Sequence, residues 1–150
     1  VTHITPGELQ DWLEWAGARL LAMPARKVKP SEPKVAWPTY SQDKFEILDF
    51  RAGISFRAAA PSKDEIPVVE EILTLPAFCR EHKVRRVLHI RALIHPINGR
   101  YMYNWMKVAK MLETNRATAK SWHAKGLVEV IANAPREKIC LIGHSLRELA

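Results

Sequence analysis

Ten prolines divide this 150-residue chain, and they constrain its fold more than any other feature. A proline inside a helix removes a backbone hydrogen bond and clashes with the preceding turn, so helices must begin at these positions or fit between them. Pro6 suits the first position of a helix, with Thr5 placed to cap the free amides and Glu8 to complete a capping box. Leu9, Trp12, Leu13, Ala16, Leu20 and Leu21 recur at helical spacing, and Pro24 predicts an end near Met23. Four prolines and several lysines between Pro24 and Pro38 predict an extended arm, packed back on the core through Trp37 with Tyr40 beside it. Lys44 to Ala60 reads as a short helix, with a strand at Ile47 to Phe50 as the alternative. After Pro61, Ser62 and Glu65 frame a second capping box, followed by an apolar stripe of Ile66, Val69, Ile72 and Leu73. Phe78, Val84, Val87, Leu88 and Leu93 predict one helix from Ala77 to Ile94, its polar face carrying Arg80, Lys83, Arg85, Arg86 and Arg91. His95 to Arg100 holds Pro and Asn-Gly turn signals. Leu127 to Ala132 either extends the last helix or crosses the core, and Pro135 ends it. The tail from Arg136 to Ala150 is weakly amphipathic and is expected to hang loose or to pair with another copy.

The charge is concentrated. Pro76 to Gly126 carries 11 Lys and Arg against 2 acidic residues, net +9, while the remainder carries 12 against 14, net −2. A basic segment of this kind favours an acidic partner such as nucleic acid. The 47% of apolar residues suffices for a core, and no apolar run approaches the roughly 20 residues needed to span a bilayer. No basic-then-apolar leader is legible. Cys79 and Cys140 are far apart and lack metal-ligand spacing, which predicts thiols in a reducing, cytoplasmic compartment.

Within the basic segment, Val108 to Gly126 reads as two short helices meeting at a polar corner. Val108 and Leu112 line the first helix's inner face, and Ala109 is small enough for a helix crossing. Asn115 sits where an N-cap is wanted. Ala119 and Trp122 face inward, leaving Arg116, Ala117, Lys120, Ser121 and Ala124 outward, and Gly126 is expected in the left-handed turn that ends the helix. This is the layout a helix-turn-helix needs to enter a major groove. The alternative is a structural hairpin with a solvated basic face.

The pattern resembles the helix-turn-helix of sigma-factor region four and many phage regulators, where the corner typically reads Leu-Gly-Val-Ser-Arg-x-Thr-Val. Here Leu112-Glu113-Thr114-Asn115-Arg116-Ala117-Thr118-Ala119 replaces the turn glycine by Glu113 and the apolar turn residue by Thr114. From Leu9 to Val130 the order of features also resembles an uncharacterised family of small phage and prophage proteins from alphaproteobacteria. The matching residues are Leu21-Ala22-Met23-Pro24, Trp37-Pro38, Arg85 to Arg91, His95-Pro96 with Gly99-Arg100, and Arg116 to His123. The resemblance implies DNA binding in a phage-type context.

Other chemistry has little support. His82 and His89 are two helical turns apart, too distant for one metal without further ligands. Gly143-His144-Ser145 lacks a nucleophile elbow, and no phosphate-cradling glycine loop occurs. Asp43, Glu46 and Asp49 read as a solvated face. The expected fold is mainly α: a small helical domain with a C-terminal helix-turn-helix and a proline-rich extended arm. Residues 1–75 form the N-terminal helix, arm and packing region, 76–134 the basic DNA-binding unit, and 135–150 the tail. The expected function is sequence-specific binding of double-stranded DNA, without enzymatic activity, cofactor or metal. The protein would regulate transcription of phage or prophage genes at the nucleoid of a bacterial host, contacting RNA polymerase or a second copy of itself and no membrane. Asn115, Arg116, Ala117, Lys120 and Ser121 are the expected recognition residues, and Arg85, Arg86, Arg91, Arg100 and Lys107 the expected phosphate contacts. The alternatives are a packaging subunit resembling a small terminase, or a protein-interaction module.

Overall fold

In the computed structural model, which describes residues 3–23 and 59–150, Thr5 opens the first helix as its sequence predicts. The Glu8 amide donates to Thr5 Oγ1 at 3.2 Å and the Thr5 amide donates to Glu8 Oε2 at 2.7 Å, so two otherwise orphaned donors are satisfied reciprocally. Helix α1 (Pro6–Ala22) then buries Leu9, Leu13, Ala16 and Gly17. A second reciprocal pair, Glu65 N to Ser62 Oγ at 3.2 Å and Ser62 N to Glu65 Oε2 at 2.8 Å, opens α2 (Glu65–Leu73). Val69 and Ile72 of the predicted stripe are buried, joined by Val68, while Ile66 and Leu73 are half-buried. The proline-rich arm, the Trp37 contact and nearly all of the Lys44 to Ala60 segment lie outside the described residues.

The single basic helix expected from Ala77 to Ile94 is not formed. Pro76 belongs to a short 3-10 turn (Leu75–Phe78), and Cys79 and Glu81 have extended backbones, so α3 (His82–Ala92) begins only after them. The break is held by Arg85, whose guanidinium donates to Cys79 O at 2.8 Å and Arg80 O at 3.0 Å. At its far end α3 gives way at Leu93 to a hairpin, in which Ile94 and Tyr101 form an antiparallel bridge.

Two N-capped helices follow. Asn104 Oδ1 accepts from Lys107 N at 2.9 Å to start α4 (Trp105–Met111), and Asn115 Oδ1 accepts from Thr118 N at 2.7 Å to start α5 (Arg116–Asn133). Gly126 does not end α5. It lies mid-helix against α3, where a Cβ would sit 2.7 Å from Val84 Cγ1 and 3.1 Å from Leu88 Cδ1. Its missing side chain serves close packing, and Leu127 to Ala132 extend the helix up to Pro135. Nor is the tail loose. Helix α6 (Arg136–Leu149) buries Ile139 and Ile142, and Lys138 ties it to α2 through Glu71 at 3.1 Å and Thr74 at 2.7 Å.

The described residues thus form an all-α arrangement of six helices. None of them is long and apolar enough to cross a membrane. One core runs through Leu9, Leu13, Ile72, Leu88, Leu127, Val130 and Ile142. Residues from all three predicted segments share it, so the boundaries at 75/76 and 134/135 do not separate cores. A second cluster of Val87, Ile90, Val108, Ala109, Leu112 and Ala119 fastens α4 and the start of α5 to the end of α3.

The tightest crossing is at Gly17, where an added Cβ would lie 1.9 Å from Ala92 O and 2.6 Å from Ala92 C. Backbone cannot give way as a rotamer can. Gly17→Ala is therefore expected to cost about 3 kcal/mol. Gly126→Ala meets only side chains and recovers helix propensity of about 1 kcal/mol, so its net cost is expected to be nearer ~1 kcal/mol. Urea denaturation of both variants checks the order; equal losses would contradict it.

Candidate nucleic-acid interface

The corner between α4 and α5 is closed by backbone bonds alone. Thr114 N donates to Ala109 O at 2.9 Å and Glu113 N to Lys110 O at 3.3 Å, the two bonds of a Schellman motif. That motif requires a left-handed residue, and Glu113 takes the position with φ 55. The departure from glycine noted in the sequence therefore leaves the turn intact, at the expense of a strained glutamate. Leu112 packs under the corner with Val108 and Ala109.

Helix α5 divides by face, with Val128 as an exposed apolar exception. Ala119, Gly126, Leu127 and Val130 are buried, and Trp122 and His123 are half-buried. Arg116, Ala117, Lys120, Ser121 and Ala124 are exposed, as their spacing predicts. Asn115 is exposed too, but its side-chain oxygen is engaged in the cap. Arg86, Arg100 and Lys107 are exposed on α3, the hairpin and α4. Lys83 and Lys110 are exposed as well and were not among the predicted phosphate contacts, although Lys110 follows Lys107 at i+3 on the outer face of α4.

Two predicted phosphate contacts are placed differently. Arg85 is half-buried, its guanidinium bonded to the carbonyls before α3. Arg91 is only 7% exposed, not on a solvated face. It falls three and four residues after Leu88 and Val87, on the apolar stripe of α3, and its position outweighs its charge. Its Cζ lies 3.5 Å from the Tyr101 ring centroid and 4.2 Å from that of Trp105, and Nη1 donates to Tyr103 O at 3.0 Å.

A polar network surrounds it. Tyr101 Oη donates to Glu14 Oε1, which also accepts from Gln10 Nε2 at 2.9 Å. Gln10 Oε1 accepts from His123 Nε2 at 2.9 Å, and the His123 ring stands edge-on to Trp105 with centroids 5.5 Å apart. Burial, reinforced by the Arg91 cation, pushes His123 down to about 4. Burial also lowers Arg91, and burial together with the Glu14 bond raises Tyr101. His123 is therefore a neutral structural donor beneath the exposed face. His89 Nε2 contacts Leu73 O at 3.1 Å, and among the described residues no three His, Cys, Asp or Glu gather as metal ligands. Cys79 is buried against Gly126 O at 3.5 Å, and its burial raises the thiol to about 11. No family model, curated protein or solved structure matches the chain.

Two outcomes are expected. An unfolded chain protonates His123 near 6.5, whereas the folded protein keeps it neutral to about 4, so unfolding takes up a proton between those values. Stability should fall by about 2–3 kcal/mol as pH drops through this window, and His123→Gln should flatten that slope in pH-dependent urea melts. At the corner, Glu113→Gly should raise stability by about 1 kcal/mol through relief of the left-handed φ, whereas Glu113→Gln should change it by less than about 0.5 kcal/mol. Thermal melting distinguishes the two.

Proposed function

We propose that this protein binds double-stranded DNA sequence-selectively, with α5 as the helix that enters the major groove, and acts as a transcription regulator. The observation that carries the reading is the α4–corner–α5 unit. Its corner is closed by backbone bonds, its second helix is N-capped by Asn115, and the face opposite the core presents Arg116, Ala117, Lys120 and Ser121. A helix can insert into a major groove only if its outward face is free of bulky apolar groups and its N-terminal turns project. The first two turns of α5 meet the first condition, and the exposed apolar residue Val128 lies further along the helix. The surrounding exposed cations Lys83, Arg86, Arg100, Lys107 and Lys110 suit phosphate contacts that fix register without reading sequence.

In this reading Arg116 and Lys120 contact bases or adjacent phosphates, Ser121 adds a hydrogen bond, and Arg91 serves the scaffold. The resemblance to phage and prophage proteins supplies the biological setting, and nucleoid association follows from DNA binding. A second copy or RNA polymerase would occupy another face. The packaging alternative rests on the tail and the N-terminal helix serving ring assembly, and α6 packs on α2 within the same chain.

The test is binding to duplex fragments from the protein's own locus across a salt series, with Arg116→Ala/Lys120→Ala alongside. The wild type is expected to prefer particular fragments, and the double variant to lose roughly 1–3 kcal/mol of that discrimination for each base contact removed. Both side chains are exposed, so the melting temperature should not move. Selectivity that survives in the double variant would make α4 and α5 a structural hairpin.

A further inference from the structure

We propose that the groove between α1 and α6 binds a small amphipathic anion, an apolar body that carries a carboxylate. The site is independent of any role of α5 in DNA binding.

The groove is a cavity of about 310 Å³, walled by Ile4, Trp12, Ile139 and Leu146 and floored by Gly143. A second hollow of about 390 Å³ reaches to Ile131 and Ala134 at the end of α5 and shares His3, Ile4, Ile139 and Cys140 with it, so the two adjoin. Small-molecule sites are concave, largely apolar and roughly 300–1,000 Å³ in volume, with a few polar groups that fix orientation. The groove falls at the lower end of that range, which limits its ligand to a small one.

Nothing in the packing requires Gly143. A glycine inside a helix is less stable than an alanine. At Gly17 and Gly126 a Cβ would lie 1.9 and 2.7 Å from neighbouring atoms, so a side chain is excluded there. At Gly143 a Cβ would lie 3.5 Å from Trp12 Cη2, an ordinary contact. What this glycine preserves is the open space beside the Trp12 ring.

The free charge at the groove is positive. Arg147 Nε donates back to Gly143 O at 3.2 Å, which leaves both Nη groups for a ligand. No described carboxylate lies within ion-pair distance of Arg147, or of Arg136 in the adjoining hollow. Glu8 also lines the groove, but its Oε2 accepts from the Thr5 amide at 2.7 Å and the Thr5 hydroxyl at 2.9 Å, so the helix cap already uses that charge. An apolar body would cover Trp12, Ile139 and Leu146, and its carboxylate would meet the Arg147 guanidinium, a geometry suited to a bidentate pair. A neutral ligand would gain the apolar burial alone, and a cationic one would meet Arg147 as a like charge.

The experiment titrates the protein at neutral pH with octanoate, octan-1-ol and octylamine, followed by NMR of the backbone amides and of the Trp12 indole, whose signal Trp12→Phe identifies. Octanoate is expected to shift the Trp12 indole and the Gly143 and Leu146 amides saturably. Octan-1-ol should shift the same signals with roughly fivefold weaker affinity, the loss of one exposed ion pair, and octylamine should bind more weakly still. Arg147→Gln, an exposed change that leaves the fold intact, should bring octanoate down to the affinity of octan-1-ol. Gly143→Leu should fill the groove and abolish binding of both, with the circular dichroism of the folded protein retained; if that variant does not fold, the Arg147→Gln comparison decides. Shifts that do not saturate, that octylamine reproduces, or that survive in folded Gly143→Leu would overturn the proposal. So would Trp12 shifts that follow protein concentration without octanoate, which would assign the groove to a second copy of the chain.

Discussion

The end of α3 depends on a buried guanidinium. A cation withdrawn from water is costly unless its surroundings replace the lost hydration. Among the described residues Arg91 has no carboxylate within ion-pair distance, and its Nε is buried without a hydrogen-bond partner. What stabilises it is the pair of aromatic faces, Tyr101 and Trp105, together with the Tyr103 carbonyl. Desolvated cation–π contacts are worth about 2 kcal/mol each, so two of them offset a large share of the penalty. The three partners come from the hairpin and from the first residue of α4. Through Trp105 the arrangement reaches His123 on α5, and through Tyr101 it reaches Glu14 on α1. One side chain of α3 thus links that helix to four other elements. Next to it in sequence, the Ala92 carbonyl is covered by Gly17, which leaves α1 no freedom to slide.

This use of Arg91 changes how the basic segment is to be understood. Net charge suggests a uniform electropositive surface, but the structure sorts its cations. Arg85 and Arg91 serve backbone carbonyls and rings, and Lys125 pairs with Glu81 at 2.8 Å. Lys83, Arg86, Arg100, Lys107, Lys110, Arg116 and Lys120 are exposed, and they lie on α3, the hairpin, α4 and α5. The salt dependence of binding to a polyanion scales with the phosphates neutralised, so it would reflect this smaller set and not the formal net charge.

What was legible in the sequence was what is decided locally. Both capping boxes, the stop at Pro24, the Asn115 cap and the outward residues of α5 follow from side chains acting within one turn or from a period of 3.6. What was misread depended on distant partners. A glycine near an expected helix end and a glycine at a helix crossing look alike in sequence, and only Val84 and Leu88 make Gly126 the second. The continuous helix expected from Ala77 failed because Arg85 could satisfy the carbonyls of a break as well as a helix could. Arg91 stands in register with Val84, Val87 and Leu88, so its burial follows from its position on the helix, whereas its charge points to solvent. The packing of α6 is not legible locally, because Glu71 and Thr74, which hold its Lys138, lie more than sixty residues earlier.

Glu113 brings these strands together. A glycine would make the left-handed corner without strain, and the glutamate costs roughly 1 kcal/mol there. It also puts a carboxylate at the edge of an otherwise acid-free stretch beginning at His82. For a duplex seated on α5, that charge repels phosphate whenever the docking geometry is loose. In the proposed reading, a duplex seated with Arg116 and Lys120 engaged would gain contacts that exceed the repulsion. A repulsive group of this kind weakens every complex but weakens the poorly docked ones most, and selectivity is a difference of affinities.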